Sequence, residues 1–148
     1  MALAQAMWVH GHSMAVEVPQ NINSEWRAGF FLRIVGKPNT TNWFHFAIPT
    51  AVIVNDNRLA IGSGMIRFRC NSPKAIITNV HIFDGENRVA AHDNLNIAPT
   101  AWSFQRFAVP GTPDVLWGVG ITLGVRFIGT TDAENTMEFS SVGIDFLP

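Results

Sequence analysis

The sequence predicts an all-β protein: an antiparallel two-sheet β-sandwich of the jelly-roll type, with about eight to ten strands. Apolar and polar residues alternate with a period of two in many short segments, and Gly, Pro, Asn and Asp separate those segments. No segment shows a sustained helical period, and the connections are too short for crossover helices. The length of 148 residues fits one β-sandwich domain spanning residues 1–148.

Four segments of the N-terminal half have strand alternation. WVHGHSMAVE, residues 8–17, is an early strand, and EWRAGFFLRIVG, residues 25–36, is predicted to be one strand with a bulge at Gly29. In that second strand Trp26 shares a face with Phe30, which favours a core position for its indole. The segments NWFHFAIP (42–49) and MIRFRC (65–70) each present polar or amphipathic side chains on their outer face: Trp43, His45, Arg67 and Arg69.

The C-terminal half continues the pattern. AIITNVHIFDGENRVAAHD is typical of a hairpin with its turn at Asp84 and Gly85. VLWGVGITLGVRF, residues 115–127, alternates as one long strand, which predicts that Trp117 lies in the core. The opposite face of that strand carries three glycines that leave its backbone bare: Gly118, Gly120 and Gly124. Two further strands change phase and are each predicted to contain a bulge, between Phe104 and Phe107 and at Ser140–Ser141.

Composition and charge exclude several classes of function. The formal net charge is −1 and no block of like charges exists, so nucleic acid is not an expected partner. A single cysteine, Cys70, allows no disulfide within the chain, and its in-phase position predicts a buried, inert thiol. No stretch has the length of a membrane-spanning helix, and the N-terminus has no recognisable secretory signal. We therefore expect a soluble protein, cytoplasmic by default and without a membrane partner.

The two histidines near the N-terminus raise the question of a metal site. His10 and His12 would point the same way on a strand, which is the arrangement that two imidazoles need to bind one transition metal ion. The spacing to Glu17 resembles the first metal motif of cupins, but the flanking cupin glycines are replaced by Ala4 and Ser24, and no second motif follows. A structural or exposed pair is the expected reading, and a metal site at His10 and His12 is the alternative.

Three groups of residues are candidates for ligand binding. Trp43, with His45 beside it, is the best candidate for an exposed aromatic platform, and Arg67 and Arg69 are candidates for the wall of a polar cleft. The densest polar cluster contains His92, Asp93 and Asn94. This cluster is typical of a turn held by side-chain to backbone hydrogen bonds, and its oxygens also suit sugar hydroxyls or Ca²⁺. No cofactor is expected, with Ca²⁺ or a transition metal as the alternative.

The C-terminal third carries a family resemblance. AWSFQRFAVP, then VLWGVGITLGVRF, then MEFSSVGIDF resembles the closing strands of jelly-roll modules, among them carbohydrate-binding modules and galactose-binding-like domains. The whole chain is also similar to an uncharacterised bacterial family of small all-β proteins. The resemblance implies a β-sandwich and a non-enzymatic, lectin-like binding module with carbohydrate as the first expected ligand.

Other functions remain open from the sequence. A homo-oligomer is expected, and a structural or assembly protein with a sheet-face interface is one alternative, because the bare glycine strip suits close packing against a copy. The others are a cofactor-free lyase, isomerase or cyclase with a pocket between the sheets, and a cupin-like metal protein. Whether the protein is an enzyme is undecided, with a binding role favoured.

Overall fold

The computed structural model describes residues 2–148 and contains two antiparallel β-sheets packed face to face. In spatial order, the first sheet contains β11 (Ser103–Ala108), β8 (Ala60–Cys70), β13 (Thr136–Leu147), β4 (Phe31–Gly36) and β3 (Ile22–Ala28), with β1 (Gln5–His10) also paired to β13. The second sheet contains β10 (Asn87–His92), β9 (Ala75–Asp84), β12 (Val119–Phe127), β5 (Thr40–Ile48) and β2 (Ala15–Val16). The predicted all-β two-sheet sandwich is confirmed.

The remaining elements are short. β6 (Ile53–Val54) and β7 (Asn57–Arg58) form a small hairpin, and the helical segments are the 3₁₀ turns Gly11–Ser13 and Pro19–Asn21. Ten of the thirteen strands in the described part of the chain have six or more residues, in line with the expected eight to ten, and the three extra ones have two residues each. Within residues 2–148, no helix has the length and apolarity needed to cross a membrane.

The core lies between the sheets and is rich in phenylalanine. Phe139 of β13 stacks on Phe68 with ring centroids 5.8 Å apart and meets Phe44 edge-on at 5.7 Å. Cys70 is 1% exposed, and burial raises the pKa of its thiol to about 12, so the thiol stays protonated and inert, as its phase predicted. Since strand alternation sends these side chains inward, their strand neighbours must point to the two outer faces.

Two bulge predictions have different outcomes. β13 shifts register against β8 between Phe139 and Ser141, which confirms the bulge at Ser140–Ser141. On its other edge β13 pairs first with β4 and then with β1, so the bulge marks where the strand changes neighbours. The bulge predicted between Phe104 and Phe107 is wrong, because β11 pairs with β8 without a register shift. Phe104 and Phe107 are three residues apart and therefore lie on opposite faces of this regular strand, with Phe104 47% exposed on the outer face.

The segment 25–36 is a correction to the predicted topology. It forms a hairpin, β3 and β4, and not one bulged strand, since Ala28 pairs with Phe31 and the turn falls at Gly29 and Phe30. The turn reverses the chain, so Leu32 and Ile34 of β4 enter the core while the expected core residue Trp26 is 53% exposed on the outer face.

The segment 115–127 is a second correction. Its regular strand begins at Val119, and Trp117 is 69% exposed and not in the core. Gly118 has a φ of +149°, which other residues rarely adopt, so the alternation of β12 does not extend back through it. The pattern of alternate apolar residues continued past the point where the backbone leaves the sheet.

Candidate ligand-binding groove

A groove runs along the outer face of the second sheet, and its floor is the central strand β12. Gly120, Thr122 and Gly124 are successive outward positions on this strand. β5 lies on one side and β9 on the other, so the residues of the walls are fixed by strand register. The register sets Gly120 between Ala47 and Phe83, Thr122 between His45 and His81, and Gly124 between Trp43 and Asn79.

Three depressions follow one another along this floor. The first, about 440 Å³, includes Gly120 and the exposed Trp117. The second, about 210 Å³, includes Thr122, and the third, about 180 Å³, includes Gly124. Alternate residues of a strand are roughly 7 Å apart, so the three depressions lie in a row along β12, and Trp43 lines both the second and the third.

Gly120 is the floor residue with the least side-chain cover. A Cβ added there would meet only the Phe46 carbonyl oxygen at 3.8 Å, so the space above Gly120 is open. At Gly124 a Cβ would come within 2.6 Å of Asn79 Oδ1 and 3.0 Å of Trp43 Cζ3, because these two side chains lean over the strand. Two glycines of the predicted strip, Gly120 and Gly124, therefore lie in the floor of the groove, and Gly120 is bare while Gly124 is covered by Asn79 and Trp43.

One wall is organised around His45. Its Nδ1 is 2.8 Å from Thr122 Oγ1, and its Nε2 is 3.0 Å from Glu17 Oε1. Both members of the ion pair face solvent, with 39% of the His45 side chain and 50% of the Glu17 side chain exposed. Glu17 is placed here because the residues after β2 continue along β5, where the Glu17 N–H donates to the Trp43 carbonyl at 2.9 Å.

The opposite wall is organised around Asp93. Its Oδ1 accepts from Asn79 Nδ2 at 2.6 Å and lies 2.7 Å from His81 Nε2. The hydrogen bond from His81, followed by that from Asn79, lowers the pKa of the Asp93 carboxyl. The His81 ring lies 5.2 Å from the Trp43 ring across the groove, so the two walls meet over Thr122 and Gly124.

Trp117 is held at the end of the groove by a buried carboxylate. Asp84 is 2% exposed and accepts from the N–H groups of Leu116, Trp117 and Gly118 at 2.8–2.9 Å. Burial alone would raise the pKa of Asp84, but the three backbone donors outweigh it and lower the pKa. The ionised Asp84 carboxylate thus fixes the backbone of residues 116–118, which carries the exposed Trp117 indole.

Only part of the residue set predicted from the sequence lies in this groove. Trp43, His45 and Asp93 come together. Arg67 and Arg69 lie on the outer face of the other sheet, where Arg69 Cζ is 4.6 Å from the Trp102 ring centroid. His92 Nε2 bonds the Ala108 carbonyl at 2.8 Å, away from the groove. Asn94 occupies a turn position with a φ of +55°.

The His10–His12 pair has a structural explanation. β1 ends at His10, and His12 belongs to the following 3₁₀ turn, so the two do not share a strand face as predicted, although their ring centroids lie 4.1 Å apart. His10 Nδ1 accepts from the His12 N–H at 3.3 Å, and His12 Nε2 bonds the Ala28 carbonyl. The glycine between them packs on the β13 bulge, where a Cβ would be 2.0 Å from Phe139 O. Burial, then the neighbouring His12, lowers the pKa of His10.

Among residues 2–148, no three His, Cys, Asp or Glu side chains converge to hold a metal ion. Metal binding at His10 and His12 therefore stays a prediction without a third ligand in the described chain. Ca²⁺ binding at Asp93 also stays a prediction, since that carboxylate is shared with Asn79 and His81.

Sequence reasoning missed several groove residues. His81, Asn79 and Thr122 occupy outward positions of their strands, and outward phase combined with a polar or aromatic side chain was the available signal. Glu17 reaches the groove through strand order, which alternation does not reveal. Trp117 was missed because its phase predicted burial.

Comparison with known proteins identifies the family. Residues 2–147 match a protein family described as a family of unknown function, DUF6623. The chain belongs to this family. No curated protein matches the sequence. Membership in DUF6623 is consistent with the resemblance to an uncharacterised all-β family.

Solved structures share the fold of this DUF6623 protein at low sequence identity. A low-affinity xylan-binding module, CBM86, from Roseburia intestinalis superposes with a TM-score of 0.55 and 9% identity, covering 97% of this chain and 96% of the module. A CBM29-2 carbohydrate-binding module gives 0.52 and 8%, covering 95% and 91%. A cyclase from Fischerella sp. TAU gives 0.56 and 12%, covering 95% and 88%. The fold-level resemblance to carbohydrate-binding modules is therefore confirmed.

Proposed function

We propose that this protein is a non-enzymatic module that binds a neutral carbohydrate chain along the groove of the second sheet. The observation that carries the proposal is the row of three depressions over Gly120, Thr122 and Gly124, with Trp43 and Trp117 spaced along it. A row of this kind suits an extended chain, because successive ligand residues can occupy successive depressions.

The chemistry of the lining residues supports the ligand class. The C–H face of a sugar ring packs on an indole, and hydroxyl groups pair with the donors and acceptors of His, Asn and Glu side chains. Among the described residues that line the three depressions, the acidic side chain is Glu17, with Asp93 next to them on Asn79 and His81, and there is no Lys or Arg. A neutral glycan therefore fits better than an anionic one. The similar fold of two carbohydrate-binding modules agrees with this class.

The test is a binding assay on soluble neutral polysaccharides: xylan, glucomannan, mixed-linkage glucan and hydroxyethylcellulose. We expect one or more of them to bind and to change the tryptophan fluorescence, and Trp43→Ala to weaken binding by about tenfold or more, or roughly 1.4 kcal/mol. Trp8→Ala is the matched control, since Trp8 is 41% exposed but lies on the first sheet. Equal losses in both variants, or no binding to any polysaccharide, would contradict the proposal.

Acid–base catalysis is a second candidate function. The groove holds two histidine–carboxylate pairs, His45 with Glu17 and His81 with Asp93, on opposite sides of Thr122, and a cyclase shares the fold. Cofactor-free catalysis of this kind benefits from an enclosed site that excludes water, whereas half of each carboxylate side chain is exposed. The open geometry favours binding. Conversion of bound oligosaccharide by wild type, abolished in His45→Gln and His81→Gln, would establish the enzyme instead.

A homo-oligomer is a separate proposal, and an interface on the glycine strip would cover the groove. Sedimentation of the protein alone would test it, with a mass above that of one chain as the expected result.

A further inference from the structure

A second cleft opens on the outer face of the first sheet, on the far side of the sandwich from the groove. Its volume is about 390 Å³, and it lies between β3, the start of β13 and the loops that carry Asn71 and Asp132. We call it the Trp26 cleft, because the indole of Trp26 forms part of its wall. Trp26 is 53% exposed, which is unusual for the largest apolar side chain.

The Trp26 indole is held in place from two sides. The guanidinium carbon of Arg33 lies 4.8 Å from the ring centroid, and Phe31 meets the indole edge-on at 5.4 Å. Cation–π and edge-to-face contacts of this kind fix the orientation of an aromatic ring. The exposed surface of Trp26 is therefore a fixed platform.

Arg33 is itself fixed by a row of side chains that crosses the sheet. Glu138 accepts from Arg33 Nε at 3.0 Å and from Arg69 Nε at 2.6 Å, and Arg69 packs over Trp102. Strand register aligns Trp26 with Arg33, Arg33 with Glu138, and Glu138 with Arg69. Preorganisation of this kind reduces the entropy that a ligand must overcome when it orders the site.

Polar groups surround the platform. Asp132 Oδ1 accepts from Asn23 Nδ2 at 3.1 Å, which leaves the second Asp132 oxygen for a ligand. Asn71 Nδ2 donates to the Ala133 carbonyl at 2.8 Å, which leaves the side-chain carbonyl of Asn71 for a ligand. The Ser24 hydroxyl also lines the cleft. The charged side chains that line the cleft are Arg33, Glu138 and Asp132, one cation and two carboxylates, so the lining offers hydrogen bonds and an aromatic surface without favouring an anionic ligand.

We propose that the Trp26 cleft is a second saccharide-binding site, so that one chain carries two such sites on opposite faces. The ligand class rests on the proposed function of the groove, and it is supported separately by the exposed indole with hydroxyl, amide and carboxylate groups around it. Because the two sites face away from each other, they engage different polysaccharide chains or distant parts of one chain. The protein then cross-links its ligand, and avidity exceeds the affinity of either site.

The experiment measures the number of ligand molecules bound per chain, with xylohexaose, cellohexaose and mannohexaose as probes. Isothermal titration should give two bound molecules per wild-type chain for at least one of them. Trp26→Ala should remove one, Gly120→Val in the groove should remove the other, and the double variant should bind none. Wild type should precipitate the matching polysaccharide, and each single variant should not.

Two further variants separate binding from folding. Ser24→Phe fills the Trp26 cleft, whereas Trp26→Ala removes the indole from its wall, and both variants should lose the same binding site. Trp26→Phe keeps a ring and should retain two bound molecules at lower affinity, and thermal unfolding checks that each variant is folded. One bound molecule in wild type that survives Trp26→Ala, or no binding of any probe, overturns the proposal. Binding abolished by Trp26→Ala but unchanged by Gly120→Val supports the cleft and overturns the groove.

Discussion

Both outer faces of the sandwich carry paired carboxylates, but those on the first sheet are buried and those on the second sheet are exposed. On the first sheet, Glu138 and Asp145 are 7% and 4% exposed and lie beneath arginines, Glu138 between Arg33 and Arg69 and Asp145 against Arg106. On the second sheet, the Glu17 and Asp93 side chains are 50% and 47% exposed and pair with histidines. One face covers its central strand with long side chains, and the other leaves β12 open at Gly120.

This difference separates stability from ligand access. A carboxylate that is desolvated beneath two guanidiniums stabilises the native packing, and its loss leaves charges without partners. A carboxylate half in solvent contributes little to stability and remains free to exchange a water molecule for a ligand hydroxyl. We therefore expect mutations on the first sheet to act mainly on unfolding and mutations on the second mainly on binding.

The largest expected effect comes from removing Glu138. Glu138→Ala should lower the free energy of unfolding by about 3 kcal/mol, since Arg33 and Arg69 lose a shared buried partner. Glu17→Ala on the other sheet should cost no more than about 1 kcal/mol, because its pair with His45 is exposed. Urea denaturation of both variants measures the contrast. Equal losses would remove the distinction between the faces.

The buried carboxylate of the second sheet is the next test. Asp84→Ala removes the acceptor of three partly buried N–H groups, at a cost of about 2 kcal/mol. It should also free Trp117 and weaken polysaccharide binding. Calorimetric unfolding together with quenching of tryptophan fluorescence by acrylamide checks both effects. Glu86→Ala, in the adjacent exposed turn, is the control. If Asp84→Ala destabilises the protein without changing affinity, Trp117 has no part in the groove.

Two glycines on β12 sharpen the description of the groove. Gly120→Val should change the free energy of unfolding by less than about 1 kcal/mol, since the added side chain meets open space and valine favours strands. It should nevertheless abolish binding in the groove. Gly124→Val should destabilise more, by about 1–3 kcal/mol, because it overpacks against Asn79 and Trp43. Binding by Gly120→Val at wild-type affinity would place the ligand elsewhere.

The smallest effect concerns pH. The lowered pKa of Asp93, caused first by His81 and then by Asn79, means that its contribution to native stability is fully present above its ordinary pKa of about 3.9. That contribution is lost as the pH falls through the lowered folded-state pKa. Asp93→Asn should make stability less sensitive to acid below about pH 4, as measured by unfolding against pH. An unchanged acid profile, matching the exposed control Asp114→Asn, would contradict the pairing.

Local alternation was enough to predict most strands and the direction of many side chains. Phe44 and Phe46 point inward while Trp43 and His45 point outward, because successive side chains of a strand take opposite faces wherever the strand lies. The turn at Asp84–Gly85 was equally readable, since its geometry depends on the turn residues themselves. The jelly-roll type and the oligomeric state stay predictions.

Local rules failed where the chain leaves the sheet. Gly29–Phe30 is a turn and not a bulge, and Gly118 interrupts the alternation before β12, so Trp26 and Trp117 are exposed against expectation. In both cases the apolar pattern continues through a backbone reversal or break, and a pattern of period two cannot register such a change.

What the sequence determined by itself was the strand content, the inward direction of phenylalanines such as Phe44 and Phe46, and the glycines on the outer face of β12, all of which follow from residue chemistry at short range. Only the tertiary structure decided that Glu17, His81 and Asp93 flank that face, and that Trp26, Arg33, Glu138 and Arg69 align in one row. The physical reason is that strand order and register are set by packing between residues far apart in the chain. The two faces acquired their different roles from that packing.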